Sequence, residues 1–405
     1  MKRNYVELLN KPLILNSVTM GRLAASENEL IRADEMISRH PLLPAIRHQM
    51  LRVEALASVA VEGSKIAYDD LAKLEFFSHN SPHSEGDIRA MLKRASRLEM
   101  LDPRGAVSAV CQMRALEWIC HNVGRNTVLG FDVLDEIVTR YDENAIERAW
   151  AHQNGQSRDD RLKEPAILAK QRREHMSSYL EFFNSDLFMP STQAEISHAI
   201  IQSIGVGQCR QDGYERLFSH MIFYRRGLLS KAVAPLAVGP AIDVERHATS
   251  IHGNMGALSK HDDVSYSQFD FNSVAFCTSA PARTMIVATR GIESLHRKWT
   301  KRLKAEGKHD TLNALMELML EWNILTIDFA SKELGKSFST ISAAIKKLEA
   351  AGIVKECGLA DKSRLYCAPD ALSFFESLLR KVISANATTR DEALAKIERL
   401  DAMEI

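Results

Sequence analysis

The chain has 405 residues, more than one ordinary hydrophobic core holds, so two or three domains are expected. Hydrophobic residues at 45% and charged residues at 26% are the proportions of a globular protein and exclude a disordered or fibrous chain. Lysine plus arginine and aspartate plus glutamate both total 52, which excludes a strong global field, so any nucleic-acid contact must come from a local basic surface.

The opening stretch MKRNYVELLNKPLIL has no apolar core long enough for a signal peptide. No run of about 18 apolar residues follows, so a cytoplasmic protein with reduced thiols and no membrane contact is expected. From 27 to 66 apolar positions recur at three and four spacing with few breakers, which predicts helix. The Ser-, His-, Asn- and Pro-rich stretch 78–86 reads as a loop closing an N-terminal helical unit. Asp102 before Pro103 is an N-cap with a first-turn proline, opening a helix through Val107, Val110, Leu116 and Ile119. The polar stretch 152–164 reads as a connection before a helix at 167–183. Ser191, with Glu195 in the first turn, starts a helix to Ile204, and Asp212 opens another that ends at Gly227. These two helices flank a short loop, 205–211. Between 236 and 272 neither period holds and no element is assigned. Helix returns at 282–303, and 305–309 reads as the linker into the last domain.

Asp310 begins a helix with Leu312, Leu315, Met316 and Met319 on one face, and Thr326 caps a short second helix, IDFASKELG. Ala330 is small where two such helices must approach. Gly335 ends the second helix, and Ser337 caps a third in which Ile341, Ile345 and Leu348 form an apolar stripe before Gly352 stops it. The other face carries Ser339, Thr340, Ser342, Lys346 and Lys347, short donors at the start and ammonium groups toward the end. Residues 353–356 and 364–367 read as two strands around a basic-tipped turn, 358–362. Three helices followed by a hairpin spell a winged helix-turn-helix, whose third helix is expected in the DNA major groove and whose wing is expected on the backbone. Lys336, Lys346, Lys347, Lys362 and Arg364 fall on the turn, third helix and wing. The segment 308–380 is nearly charge-balanced, so affinity per monomer is expected to be modest and to gain from dimerisation.

The six cysteines form neither a CxxC pair nor a Cys/His cluster at metal-ligand spacing, so no metal site or disulfide framework is expected. His198, His247, His252 and His261 fall in no HExxH or nucleophile-elbow context and receive no role.

The segment EHMSSYLEFFNSDL…AEISHAIIQSIGVGQCRQDGYERLFSHMIFYRRGLLS, 174–230, resembles the core of the Fic (AMP-transferase) family, whose signature is HxFx(D/E)GNGRxxR between two helices. Upstream, LRVEALASVAVEGSKIAYDDL resembles the family's N-terminal region, with Ser58, Glu62 and Gly63 matching its inhibitory pattern. The resemblance implies a helical Fic-like body, and a terminal winged helix is a common companion. It also implies lost chemistry. Gln208 stands where the family has its catalytic histidine, and an amide cannot serve as a general base. Asp212, Gly213 and Arg216 match the signature, but Tyr214 and Glu215 replace Asn-Gly, where phosphates approach a helix N-terminus, and Ser219 replaces the second arginine. In active relatives the inhibitory glutamate pairs with that second arginine, so Glu62 needs another partner, for which Arg216 is the candidate. The family's target-holding flap is not found before His152. Beside this stand plainer readings, in which Asp212 is a helix N-cap and Ser58 and Glu62 are helix residues one turn apart.

The layout is also similar to an uncharacterised family carried on plasmids of rhizobia, with a terminal helix-turn-helix, which implies a setting in plasmid transfer or symbiosis control. Together these readings predict a mainly α protein. Residues 1–100 form the N-terminal helical region, 101–304 the Fic-like core, 308–380 the winged helix-turn-helix with its small hairpin, and 381–405 a helical tail. The expected function is transcription regulation, with a homodimeric body lacking AMP-transferase activity that senses a protein partner or small effector and positions the winged helices on double-stranded DNA. No catalytic residue, metal or cofactor is assigned. The alternatives are an enzyme of altered chemistry that still binds ATP or another nucleotide, and an antirepressor acting by protein contact.

Overall fold

The computed structural model describes residues 15–79, 84–154, 170–204, 212–245, 247–250, 270–303, 310–360, 363–383 and 389–399. They form a mainly helical protein with one small three-stranded antiparallel sheet. No helix among the described residues is long and apolar enough to cross a membrane.

Helix α1 (Ser17–Ser38) starts at Asn16, whose side chain accepts the Thr19 amide, and α2 (Leu43–Val61) follows after a break. The apolar spacing runs straight through this region in sequence. The break falls at His40 and Pro41, and Pro44 then occupies the first turn of α2, where its missing amide costs nothing. Every side chain of α2 from Gln49 to Val59 is buried. A helix buried all round must find partners for its polar groups inside the protein. Those partners tie the molecule together.

Against α2 pack α3 (Tyr68–Ser78) and α5 (Pro103–Asn122), the latter capped by Asp102, which accepts the Gly105 amide at 2.9 Å. Helix α4 (Glu85–Arg97) opens with a Ser84–Asp87 capping box and pairs with α7 (Glu143–Gln153), while α6 (Phe131–Arg140) lies on α5. Further along come α8 (Lys170–Asn184), α9 (Pro190–Ile204) and α10 (Asp212–Arg225), the last two packed closely on each other. Ser191 does not cap α9. Its amide and hydroxyl donate instead to Glu27 of α1, at 2.8 and 2.6 Å.

The unassigned stretch contains α11 (Val238–Ile242), and α12 (Phe271–Arg302) begins well before residue 282. Asp270 caps α12 by accepting the Ser273 amide, and Pro281 lies inside the helix. An internal proline costs about 3 kcal/mol. Burial of Phe271, Val274 and Phe276 ahead of it, each worth about 1.5–3 kcal/mol where large and fully buried, offsets that cost.

The C-terminal segment runs α13 (Asp310–Trp322), β1 (Ile324–Thr326), α14 (Ile327–Leu334), α15 (Phe338–Ala350), β2 (Lys355–Ala360), β3 (Ser363–Cys367) and α16 (Pro369–Ile383), and α17 (Arg390–Arg399) returns to α12. Its punctuation follows the sequence. Thr326 accepts the Phe329 amide, Gly335 ends α14 at φ +59, and Ser337 accepts the Thr340 amide. Ile341, Ile345 and Leu348 are buried.

Strand β1 is an addition to the expected hairpin, pairing Ile324 with Cys367, Leu325 with Tyr366 and Thr326 with Leu365, so the sheet order is β1-β3-β2. Three residues are too short to show an alternation in sequence. Gly358, expected in the turn, lies inside β2 opposite Leu365, at φ +137 beside a bulge at Cys357.

Polar groups of α2 dock this segment on the rest of the protein. Gln49 Nε2 donates to the carbonyls of Leu320 and Glu321 at 2.6 and 2.7 Å. Arg52, fully buried, donates to Glu75 at 2.6 Å, to Asn323 Oδ1 at 2.8 Å and to the Trp322 carbonyl at 2.9 Å. Orphan carbonyls at the end of α13 are thereby satisfied from another helix. Asn323 sits at φ +58, a conformation that asparagine tolerates at a helix end. Beside it Trp322 and Phe329 form an aromatic cluster with Phe76 of α3 and His79 just past its end. On α16, Glu376 accepts the Tyr68 amide at 2.8 Å and Asp370 pairs with Arg302 at 3.0 Å.

Candidate functional site

Two places carry the residues singled out in sequence, an exposed helix face and a buried arginine. On α15 the apolar stripe faces inward, and the rest of the protein leaves the other side open. Ser339, Thr340, Lys346 and Lys347 are exposed, Ser342 is half-buried, and Lys336 is exposed on the turn before the helix. At the N-terminus the three hydroxyls form a cluster, with Ser337 Oγ 3.0 Å from Ser339 Oγ and 2.8 Å from Thr340 Oγ1. The cap therefore fixes the orientation of the short donors. Arg364 on β3 is 66% exposed and pairs with Glu356 across the hairpin at 3.1 Å. A pair this open is worth little and exchanges readily with another anion. Lys362 lies outside the described residues.

Sequence reasoning missed two apolar residues on this side. Phe338, the first residue of α15, is 56% exposed, and Leu359 near the end of β2 is 65% exposed. Neither breaks a periodic pattern, so only the surface reveals them. It also missed a basic groove on α12 lined by Arg297, Lys298, Lys301 and Arg302, where Arg302 Nη1 donates to the Gly352 carbonyl just past α15 at 3.1 Å.

The second place is the start of α10. Arg216 is buried and donates through Nε to Ser58 Oγ at 2.7 Å, and through Nη2 to Glu62 Oε1 at 2.9 Å and the Ser58 carbonyl at 3.3 Å. Arg216, Ser58 and Glu62 are thus brought together, and Gly63 follows at φ +88 where α2 ends. Gly213 is in the first turn of α10, and a Cβ there would collide with the Tyr141 ring. Tyr141 is fully buried, accepts from Gln112 Nε2 at 3.1 Å on its hydroxyl, and stacks at a tilt on Tyr214, 4.9 Å between ring centroids. The Tyr214 hydroxyl donates to the Tyr141 carbonyl. Glu215 is buried, and the Ser219 hydroxyl donates to the Glu215 carbonyl at 3.2 Å.

Tyr141 and Tyr214 therefore pack at Gly213. The space left among Ser58, Gln112, Gly213 and Arg216 has a volume of about 10 Å³, room for a water molecule at most. Gln208 and the loop 205–211 lie outside the described residues, as does the side chain of Asp212, which opens α10.

His198 is buried within ring distance of His247, 5.8 Å between centroids, and burial, with His247 and Arg216 nearby, holds its pKa well below the usual imidazole value. It is neutral at pH 7. No cluster of His, Cys, Asp or Glu able to hold a metal ion occurs among the described residues. In comparisons with known proteins, neither a family model nor a curated protein matches the chain significantly.

Proposed function

We propose that the protein is a DNA-binding transcriptional regulator, in which residues 310–383 act as a winged helix-turn-helix and the helical body acts as a sensing and dimerisation unit without AMP-transferase activity. The observation that carries this reading is the open face of α15, bearing Ser339, Thr340, Lys346 and Lys347, within a helix, helix and hairpin arrangement. On a duplex, α15 enters the major groove and β2–β3 is the wing. Lys346, Lys347 and Arg364 contact phosphates, which position the protein without reading sequence. Phe338 stands beside Ser339 and Thr340 and supplies the apolar surface that a thymine methyl accepts.

For the body we favour the reading of a degenerate Fic-like core. Supporting it, Gly213 packs on the Tyr141 ring, Tyr214 lies against that ring, and Arg216 is engaged by Ser58 and Glu62. Homodimers, a small effector or protein partner and a plasmid-transfer or symbiosis setting belong to the same proposal. Genome-wide mapping of bound DNA tests it, with reproducible discrete sites expected. Binding scattered evenly over the genome would argue against it. The purified protein is also expected not to transfer AMP from ATP to itself or other proteins. Robust adenylylation that disappears in Gln208→Ala would instead assign it altered Fic chemistry.

A further inference from the structure

We propose that Cys357 and Cys367 are a peroxide-oxidisable thiol pair that closes to a disulfide across the β2–β3 hairpin. This goes beyond the DNA reading and does not depend on it. The register sets Lys355 opposite Cys367 and leaves Cys357 as the extra residue of the bulge between Glu356 and Gly358. Glu356 and Arg364 pair on one face of the hairpin, and Lys355, Cys357 and Cys367 turn to the other. There both line the same cavity as free thiols, each near enough to shift the other's ionisation.

Both cysteines line a cavity of about 480 Å³ between the hairpin, α3 and α16, whose walls also include Asp69, Lys73, Lys355 and Glu376. A peroxide fits such a space easily. The neighbouring Cys357 thiol, with the Lys355 and Lys73 ammonium groups, lowers the Cys367 pKa against its burial. The Cys367 neighbour and burial push the Cys357 thiol up. Of the two, Cys367 is therefore the readier to ionise and Cys357 the one that holds its proton. The remaining described cysteines differ, because burial pushes Cys111 up to about 11 and Cys120 and Cys277 up to about 12.

The chemistry balances with hydrogen peroxide as oxidant. The Cys367 thiolate attacks one peroxide oxygen and the O–O bond breaks, giving a sulfenic acid and a hydroxide that takes up a proton as water. Cys357 then attacks the Cys367 sulfur, its proton leaving with the displaced hydroxide as a second water. Two thiols and one peroxide yield one disulfide and two waters. The bond would pin the bulge of β2 to β3 and so fix the hairpin that carries Leu359 and Arg364.

The test treats the full-length protein with hydrogen peroxide, alkylates the remaining thiols and maps disulfide-linked peptides by mass. A Cys357–Cys367 link, absent before treatment, dominant after it and removed by dithiothreitol, is expected, with Cys111, Cys120 and Cys277 still alkylated. Cys357→Ser should stall at a sulfenic acid on Cys367 that dimedone traps, and Cys367→Ser should form no link and trap no dimedone at Cys357. Circular dichroism checks that both near-isosteric variants are folded. If the wild-type pair remains fully alkylated at peroxide concentrations that oxidise free glutathione completely, or if dimedone marks Cys357 rather than Cys367, the proposal is overturned.

Discussion

Arg216 shows how a side chain that reads as phosphate-handling in sequence can be committed to structure instead. Its guanidinium satisfies the last turn of α2 and pairs with the largely buried Glu62, so removing it takes away that ion pair and the hydrogen bonds to Ser58. Breaking such a pair costs about 3–5 kcal/mol when one partner is removed. Arg216→Ala is therefore expected to lower the denaturant midpoint strongly, and Arg216→Lys to recover little, since one ammonium cannot reproduce the fork. A midpoint within error of wild type for Arg216→Ala would show that Glu62 and Ser58 are satisfied without it.

Glu75 is a carboxylate held ionised by its neighbours. Burial pushes its carboxyl up, but the Arg52 guanidinium 2.6 Å away and the His48 ring outweigh burial and hold it at about 2. A depressed carboxylate adds stability that is complete above its unfolded value of 4.5 and is lost as pH falls through about 2. Thermal stability should thus decline from about 4.5 toward 2, and Glu75→Gln should flatten that decline at the cost of lower stability at neutral pH. An equally steep decline in the variant would assign the acid sensitivity to other carboxylates. The Arg216–Glu62 contact was open to sequence reasoning because both residues fell in recognisable motifs. Asn323 and Arg52 were not, since a buried polar pair 271 positions apart leaves no local pattern.

At the scale of elements, legibility followed local chemistry. The caps at Asp102, Thr326, Ser337 and Gly335 are written in residues whose side chains or backbone freedom act within one turn, so they could be read directly. The start of α12 could not, because Pro281 argues locally for a boundary that tertiary burial overrides. Strand β1 exists only through its pairing with β3.

Gly291 in α12 illustrates the same distinction, since the helix lies so close to α16 that a Cβ there would overlap the Phe374 ring. Alanine gains about 1 kcal/mol in helix propensity, yet overpacking a fitted interface costs about 1–3 kcal/mol. Gly291→Ala is expected to destabilise, and Gly291→Ala with Phe374→Leu to recover part of the deficit. An increase in stability for the single variant would mean that Phe374 moves freely. Ser337→Ala, which removes the α15 cap, should cost about 1 kcal/mol.

For the whole molecule, the C-terminal segment is held by Gln49 and Arg52 of α2, by Glu376 on α16 and by Asp370 against α12. The helical body thus meets the C-terminal segment through buried hydrogen bonds at the end of α13. This docking was invisible in a sequence that suggested only a linker before residue 310. Replacing Arg52 by Ala should uncouple the two, so that thermal unfolding splits into two transitions, whereas a single undiminished transition would mean that the docking rests on apolar packing alone.

The central claim, that the open face of α15 binds duplex DNA, is tested most directly by the salt dependence of binding for the full-length protein and for Lys346→Ala/Lys347→Ala. Measurable affinity at low salt, falling linearly on logarithmic axes as salt rises, is expected. In the double variant, binding should weaken for every sequence and the slope should diminish by about one for each phosphate left without its ammonium partner. No binding above background by the folded wild-type protein at low salt, or an identical slope in the double variant, would contradict it.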